Sequence, residues 1–514
     1  MQVDLLLKNI MFLNGQTGFL AIHAGRIAAM GPMSAISEAS GSVFKISVDD
    51  PSGVAAGFMP GLSLGSASRP STGSASGFSA NFPCEFSATT VQNRPGCVAM
   101  PGLQNAHSHA AMSLLRGVGQ GLDLQRWLFE AIFPAEDRLD DEAVYWGTRL
   151  SILEMLAGGT TRFCDMYMFM DSVAQAVADG GIRAELCRGV TGGANFDTKI
   201  QEALDFARRW QGGAEGRITT ALGPHAEYTT APHELRVVAD LAGRHDLPVH
   251  IHCSETAGEV QGCRERHGLS PVAYLESLGL LTPKTRLAHC VHTTPEDWTL
   301  MRRAGALAVH VPGSNLYLGS GVAPTRAMLE AGVRLALGTD GPASDNRQDM
   351  FRALYLCAAL PRQMDMAQAI TPLQALCMGV SGGGISIGTK QETTIIFYDT
   401  QGQTADAAGG RAGFVDETAA ATLAGLACDA HHEKSGTLFT LGQPADLCLV
   451  DTRRPALQPL QEPVAGMVFA ACASDVVLTM VGGKILHQDG AFPGQDVEEI
   501  FQQAGRCAAR LQGK

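Results

Sequence analysis

The 514-residue chain has few charged residues and few aromatic ones, which make up 17% and 6% of its sequence. Acidic residues outnumber basic residues by 51 to 38, so that the formal net charge is -13. A surplus of negative charge repels phosphate backbones. We therefore expect no nucleic-acid partner.

The sequence also lacks the segments that direct a chain into or across a membrane. No uncharged apolar run reaches the length that a spanning helix needs. The first residues, MQVDLLLKNIMFLNG, include Asp4 and Lys8 and have neither a basic start nor a long apolar core. We expect neither a signal peptide nor a membrane partner.

The cysteines show no arrangement that is typical of a disulfide framework or of a cysteine-rich zinc site. The chain has 13 of them, scattered and without a CxxC pair. Such thiols are usually free, as in a reducing compartment. The absence of PCxxC also excludes a deaminase of the cytidine deaminase type. We predict a cytoplasmic protein whose cysteines are small core residues.

The composition that remains is that of an ordinary globular protein, with 45% hydrophobic residues. The length allows a large catalytic domain and a second, smaller one. Short apolar runs at 4–10, 18–24 and 26–30, and again at 446–451, 476–481 and 484–486, predict strands. We expect the two chain ends to form one small β-sandwich domain, from residues 1–96 and 436–514. A Ser/Gly-rich insertion at 51–80 and a Gly/Thr-rich region at 381–413 are predicted to be irregular.

Residues 97–435 are predicted to form the larger domain, because β-prone runs alternate there with helical stretches. The eight runs are 97–103, 160–166, 182–188, 217–224, 247–253, 285–291, 306–312 and 333–339. Helical stretches include 142–157, 232–244, 295–303 and 324–331, and several begin at proline, which suits the first turn of a helix. Eight alternations predict an α/β fold, a (β/α)8 TIM-type barrel, with its chemistry at the carboxyl ends of the strands.

Histidines stand at the end of the first predicted strand. His107 and His109 lie two residues apart in MPGLQNAHSHAAM, a spacing that places both side chains on one face of a strand. Two neutral imidazoles are a usual way to hold a borderline divalent metal such as zinc. An isolated HxH pair is weak evidence, so the interpretation depends on what the later strands carry.

The later strands carry matching groups. His252 ends strand five and is followed by Glu255, His289 ends strand six, and Asp340 ends strand eight. Each of them alone could be a core histidine or a turn residue. Together with the first pair they place four imidazoles and two carboxylates at one barrel face. Three imidazoles and one carboxylate are enough for a mononuclear metal site with room for a water.

Seven motifs resemble those of the amidohydrolase superfamily, and most closely its branch of 5-methylthioadenosine/S-adenosylhomocysteine deaminases and related chlorohydrolases and aminohydrolases. They are PGLQNAHSHAAMSLLRG, FPAEDRL, GPHAEY, HIHCSET, AHCVH, VPGSNLYLGSGVAP and LGTDGPASDN. The resemblance covers about residues 97–360 well and the chain ends loosely. It implies a hydrolase that acts on carbon–nitrogen bonds in cyclic amidines, and relatives of this kind often form homo-oligomers.

The resemblance also implies a role for each matching residue. One divalent metal per chain, most often zinc but also iron or manganese, would be bound by His107, His109, His252 and Asp340. Catalysis would involve Glu255 as proton shuttle, His289 beside the attacking water, and Asp340. Substrate contacts would come from Glu136, Arg188, His225, Glu255 and Lys199.

General chemistry agrees with these roles. A bound divalent metal lowers the pKa of water toward about 7, which makes hydroxide available at neutral pH. Asp340 can accept the proton of that water, and Glu255 is placed to give a proton to a ring nitrogen. Glu255 also has an alternative role, in which it only orients His252.

Other candidates have structural alternatives. Arg188 suits a rim ion pair as well as a ligand contact. Lys199 lies where the branch usually has an arginine that meets the carboxylate of a homocysteine tail, and a lysine would meet it as a point charge without the bidentate fork. Trp127 and Phe133 suit stacking on a purine or core packing. Structural or solvated positions are expected for His250, His292, His310, His431 and His432.

Three functions remain open from the sequence. The first is hydrolytic deamination of the 6-amino group of an adenine nucleoside, such as 5'-methylthioadenosine, S-adenosylhomocysteine or adenosine. The second is the same chemistry on another amino- or chloro-substituted heterocycle, such as guanine, a pterin or an s-triazine. The third is a non-catalytic barrel that binds a partner, against which the complete ligand set and Glu255 argue.

Overall fold

The computed structural model describes residues 2–40, 42–46, 55–56, 84–364, 369–382, 385–387, 395–397, 438–439 and 442–511. Most of the predicted irregular regions at 51–80 and 381–413 lies outside these residues, as do His431 and His432. No helix within the described residues is long and apolar enough to cross a membrane.

Eight parallel strands form a nearly closed barrel. They are β9 (Leu103–Ser108), β10 (Thr160–Tyr167), β11 (Arg183–Val190), β12 (Ile218–Pro224), β13 (Val249–Cys253), β14 (Thr285–His289), β15 (Leu307–His310) and β16 (Arg334–Leu337). Each strand pairs with the next one in the chain. The short strands β17 (Ile385–Ile387) and β18 (Ile395–Phe397) continue from β16 in antiparallel order. The predicted (β/α)8 barrel is confirmed.

The second sheet is built from both chain ends, as the sequence predicted. Its strands are β1 (Gln2–Met11), β2 (Thr17–His23), β3 (Arg26–Pro32), β4 (Ile36–Ser40), β5 (Val43–Ile46), β6 (Ala55–Ala56), β7 (Cys84–Asn93), β8 (Cys97–Pro101), β19 (Leu447–Asp451), β20 (Val476–Val481) and β21 (Lys484–Gln488). The first three are antiparallel. The antiparallel pair of β8 and β19 joins the two ends of the chain. The domain boundaries at 96/97 and 435/436 stay a prediction.

The prediction for the first barrel strand was wrong. The run 97–103 was expected to be that strand, but Cys97–Pro101 pairs with β19 in the second sheet, and the barrel begins at Leu103. The chain changes sheet at Gly102, where an added Cβ would lie 2.1 Å from the side chain of Thr161. Both strands are apolar and almost continuous, so that their pattern does not reveal the change of sheet.

Helices follow most barrel strands and cover the outside of the barrel. The longer ones are Asp141–Ala157, Met170–Gly180, Phe196–Trp210, Pro232–His245, Ala257–His267, Pro271–Ser277, Pro295–Ala304, Pro312–Tyr317, Thr325–Glu330, Met350–Met364, Pro372–Val380, Pro463–Phe469 and Val497–Leu511. Several begin at residues that favour helix starts. Thr256 caps the helix after β13 by accepting a hydrogen bond from the Glu259 amide, and Pro232 and Pro295 occupy first-turn positions.

The core lies between the outer faces of the strands and these helices. Leu222, Ile251 and Leu287 on successive strands are fully buried, in one cluster with Leu235 and Val238 of a covering helix. Close packing of this kind leaves the strands little freedom to shift. The strand ends are therefore a rigid support for polar side chains.

Candidate active site

The four side chains predicted to bind a metal meet at the carboxyl ends of the strands. The Nε2 atoms of His107 and His109 lie 3.2 and 3.1 Å from Oδ1 of Asp340. Nε2 of His252 lies 3.3 Å from Nε2 of His109. The potential ligand atoms of the four residues lie within 4.8 Å of one another. No other such cluster of three or more groups occurs among the residues that the structure covers.

The backbone sets the direction of these ligands. Asp340 follows β16 with a φ of 66°, in the left-handed region that Asp adopts more readily than most residues. Its amide donates a hydrogen bond to the carbonyl oxygen of His107 at 3.0 Å. The end of strand eight is thereby tied to the end of strand one, and the carboxylate of Asp340 is turned toward both histidines.

Hydrogen bonds on the far side of the rings select the ligand atoms. Nδ1 of His109 lies 2.6 Å from the carbonyl oxygen of Met166, and Nδ1 of His252 lies 2.7 Å from that of His225. Because a carbonyl oxygen only accepts, Nδ1 carries the hydrogen in both rings and Nε2 presents its lone pair to the cluster. His107 makes the corresponding contact to a side chain, Nε2 of His250, at 2.9 Å.

The cluster fits a divalent cation. Nε2 of His107 and Oδ1 of Asp340 are buried and have no hydrogen-bond partner, a rare and costly state for polar atoms that face no ligand. Burial lowers the pKa of His107 to about 4 and that of His252 well below its usual range, so both are neutral donors. The donor set His3Asp is one that holds a metal with an open position.

The negative charge of Asp340 also favours a cation in the cluster. Burial would raise the pKa of Asp340, but the facing imidazoles of His107 and His109 outweigh burial and hold it well below its usual range. Burial likewise acts to lower the pKa of His109, but Asp340 raises it to about 9. A metal ion in the cluster would compete with the proton on His109, since an imidazole binds a metal only in its deprotonated form.

The second oxygen of Asp340 is held by two serines. Oδ2 accepts hydrogen bonds from the hydroxyls of Ser314 at 2.6 Å and Ser344 at 2.8 Å. These bonds leave Oδ1 to face the cluster. No role was predicted for either serine, although Ser314 follows strand seven, whose end carries no predicted functional residue.

Glu255 and His289 form a pair beside the cluster. Oε2 of Glu255 lies 3.6 Å from Nε2 of His289. Oε1 accepts a hydrogen bond from the hydroxyl of Ser320 at 2.9 Å, and Nδ1 of His289 lies 2.8 Å from Oδ1 of Asn315. Burial raises the pKa of the Glu255 carboxyl above its usual value. This pair can therefore hold and release a proton next to the proposed metal.

Comparison with known proteins agrees with this geometry. The sequence model of the amidohydrolase family matches residues 98–392, more than half of the chain. The chain belongs to the amidohydrolase family. The resemblance predicted from the sequence is confirmed, and with it the prediction of a hydrolytic enzyme.

Relatives and solved structures resemble this amidohydrolase over most of its length. The 5-methylthioadenosine/S-adenosylhomocysteine deaminase of Moorella thermoacetica is 40% identical over 423 residues, which cover 82% of this chain and 89% of that protein. The protein of the same name from Pelotomaculum thermopropionicum is 38% identical over 418 residues, 81% of this chain and 86% of that protein. The crystal structure of an adenosine deaminase from Xanthomonas campestris with bound zinc has a TM-score of 0.75 at 26% identity, and covers 100% of this chain and 99% of that one.

Two of the five predicted substrate residues lie near the predicted metal ligands of this amidohydrolase. The ring of His225 is centred 4.8 Å from that of His252, and its Nδ1 lies 3.1 Å from the hydroxyl of Thr229. Glu136 is buried, and burial raises its pKa to about 7, although Tyr167 and the charge of His109 act to lower it. The structure therefore brings His225 and Glu136 into the site.

Apart from Glu255, two predicted substrate residues remain, and both contact polar groups outside the cluster. Nε of Arg188 lies 3.1 Å from the carboxylate of Glu202, and Nζ of Lys199 lies 2.6 Å from the hydroxyl of Thr191. Among the described residues, neither side chain is hydrogen-bonded or ion-paired to a metal ligand. The structure thus places Arg188 in an ion pair between β11 and the next helix.

The remaining candidates have structural surroundings. Nε2 of His292 lies 2.8 Å from the carbonyl oxygen of Ser320, and His310 is buried near His289. Trp127 is buried in a core cluster, and Phe133 packs against it from a partly buried position.

Glu259, for which no role was predicted, holds the loop that carries Glu255. Its carboxylate accepts hydrogen bonds from the amides of Ser254 at 2.6 Å and Glu255 at 2.7 Å. Glu259 lies four residues after Glu255, in the first turn of the next helix. The only sequence feature that points to Glu259 is the helix start directly after the motif HIHCSET.

Proposed function

We propose that this amidohydrolase removes the 6-amino group of an adenine nucleoside, such as 5'-methylthioadenosine, S-adenosylhomocysteine or adenosine. Water enters and ammonia leaves, which gives the inosine analogue. The observation that carries the proposal is the buried cluster of His107, His109, His252 and Asp340 with Glu255 beside it. The names of the relatives, which share up to 40% of their residues with this chain, support the substrate class.

The metal proposed for the cluster is zinc. Three imidazoles and one carboxylate suit zinc, and iron or manganese would also be accommodated. The similar adenosine deaminase structure contains zinc. A bound divalent cation would supply a nucleophilic water at neutral pH by lowering its pKa. Elemental analysis of the purified protein identifies the metal.

The residues of the chain supply the proton transfers. Asp340 is held through Oδ2 by two serines, and its carboxylate would take the proton of the attacking water and pass it to the departing amino group. Glu255, whose pKa burial raises, gives its proton to the ring nitrogen as the ring carbon becomes tetrahedral. His289 faces Glu255 through Nε2, where it orients the water and stabilises developing charge.

The binding of the nucleoside is proposed to use Glu136 and His225, with Arg188 and Lys199 at the rim. The charge of His109 acts on Glu136, and the ring of His225 lies beside that of His252. Arg188 and Lys199 contact Glu202 and Thr191, and their positive charge is the reason for assigning them to the tail of the substrate.

A substrate screen tests the proposal. The metal-loaded protein is mixed with adenosine, 5'-methylthioadenosine, S-adenosylhomocysteine, guanine, a pterin and an s-triazine. Ammonia release and the absorbance change from adenine to hypoxanthine are recorded. Turnover of at least one adenine nucleoside is expected. Turnover confined to another heterocycle would replace the adenine proposal, and turnover of none by the loaded protein would remove it.

A cytoplasmic location and a homo-oligomeric state are also proposed. Several cysteines of the described residues, such as Cys164, Cys187 and Cys253, are free and buried, which suits a reducing compartment. The oligomeric state is proposed from the family resemblance alone. Light scattering on the purified protein measures it, and a monomer at micromolar concentration would refute it.

A further inference from the structure

The junction between β16 and β9, here called the seam, differs from the other strand junctions of the barrel. The hydrogen-bonded order of the sheet runs from β9 to β16 and on to β18 without pairing β16 with β9. One backbone bond crosses the seam, from the amide of Asp340 to the carbonyl oxygen of His107. The strands are nevertheless close, because a Cβ added at Gly338 would lie 2.8 Å from the His107 nitrogen.

Side chains replace the missing backbone ladder at the seam. Oε1 of Gln348 accepts hydrogen bonds from Nδ2 of Asn105 at 3.0 Å and from the hydroxyl of Ser108 at 3.2 Å, both on strand one. Nε2 of Gln348 donates to the carbonyl oxygen of Asp340 at 3.0 Å, after strand eight. The Thr339 hydroxyl lies 3.0 Å from the same Oε1. Gln348 is fully buried, so that water does not compete for these bonds.

The seam carries three of the four metal ligands. His107 and His109 come from one side of it and Asp340 from the other. The separation of the two strand ends therefore sets the distance between the imidazoles and the carboxylate. The bond from Gln348 also fixes the carbonyl of Asp340, whose left-handed φ of 66° needs support from its surroundings.

We infer that Gln348 is a positioning residue for the metal centre. By bonding to both sides of the seam, its amide holds Asp340 against His107 and His109 at the spacing that a single cation bridges. The amide is suited to this role because it supplies an acceptor for strand one and a donor for Asp340. The inference rests on the proposed metal binding and goes beyond it.

Zinc affinity tests this inference on the metal-free full-length protein, by competition with a chromogenic chelator. Gln348→Met keeps the volume and removes both hydrogen-bonding functions. We expect zinc affinity to fall about 10–100-fold, the range seen when partners of metal ligands are lost. The visible spectrum of the cobalt-loaded variant, which reports ligand geometry, should differ from that of the unchanged protein.

Gln374→Met is the matched control. Gln374 is also a buried glutamine, but its Oε1 accepts a hydrogen bond from the Thr371 amide at a helix start, away from the metal. This variant should lose stability and keep its zinc affinity. If it loses as much zinc affinity as Gln348→Met, or if Gln348→Met binds zinc as tightly as the unchanged protein, the inference is wrong.

A second variant keeps the inference testable if Gln348→Met does not fold. Thr339→Val keeps the shape of the side chain and removes the hydroxyl that contacts Gln348 and the Asp340 carbonyl. Its zinc affinity should fall in the same direction but by less, and an unchanged affinity would count against the seam. Failure of the unchanged protein to bind zinc would instead overturn the proposed metal site.

Discussion

Replacement of Glu255 by glutamine is the sharpest test of the proposed chemistry. The side chain keeps its shape, and its remaining oxygen can still accept the hydrogen bond from Ser320. What is lost is the proton that a carboxylic acid would give to the substrate, and burial favours that acid form by raising the pKa of Glu255. General acid–base catalysis contributes about 10²–10⁴ in rate, which corresponds to about 3–5 kcal/mol of transition-state stabilisation. We expect kcat to fall by that factor while KM changes little.

The dependence of kcat on pH tests the same role of Glu255. An acid catalyst works only while it is protonated, so kcat should fall as the pH rises through the pKa of Glu255. Because burial raises that pKa, the decline should begin at higher pH than for an exposed glutamate. Glu255→Gln should lack this decline. Steady-state assays over a pH series measure both effects.

The alternative role of Glu255, orientation of His252, predicts a different result. Nδ1 of His252 donates to the carbonyl oxygen of His225 and not to Glu255. Zinc content should therefore be unchanged in Glu255→Gln. Loss of zinc together with activity, or a kcat within tenfold of the unchanged enzyme, would refute the proton-transfer role. Ser320→Ala is the control, since it removes one hydrogen bond to Glu255 and should cost only about 1 kcal/mol.

Three further outcomes are expected. Chelation of the metal should lower the melting temperature, and added zinc at about 100 times its Kd should restore about 2.7 kcal/mol of stability, measured by thermal unfolding. Burial raises the pKa of Glu136 from 4.5 to about 7, which corresponds to about 3 kcal/mol. Because the folded state holds this proton more tightly than the unfolded state, the metal-free protein should lose stability as the pH rises from 4.5 to about 7. Urea titrations measure this loss, and it should be smaller for Glu136→Gln. Glu185→Gln breaks a buried bidentate ion pair with Arg286, whose two bonds are 2.6 and 3.0 Å long. The free energy of unfolding should fall by about 3–5 kcal/mol in the same titrations. A fall of less than about 1 kcal/mol would show that the pair is not needed for stability.

The sequence predicted the barrel because its strands and helices have distinct periods and are separated by clear turns. It also predicted that the four proposed ligands meet, because parallel strands of a barrel bring their carboxyl ends to one face whatever their separation in the chain. His107 and Asp340 are more than two hundred residues apart, and their side chains approach to 3.2 Å. Topology predicted that these side chains meet, and the family resemblance implied which of them form the ligand set.

The contacts that tune the site were not predictable in this way. Ser314, Asn315 and Gln348 are polar residues of types that also occur in loops, and nothing in their spacing shows which atom they face. Their partners depend on side-chain directions across two strands, which a pattern along the chain does not contain. The change of sheet at Gly102 was missed for a related reason, since two apolar strands in succession give one continuous signal.

The tautomers of two proposed metal ligands cannot be predicted from residue types. The hydrogens of His109 and His252 are fixed by the carbonyl oxygens of Met166 and His225, which are atoms that every residue type provides. Substitution of either residue leaves its carbonyl in place, and only a shift of its strand would move it. The choice of ligand nitrogen therefore depends on the packing that holds β10 and the end of β12, so distant core substitutions that displace these strands should weaken metal binding before they unfold the chain.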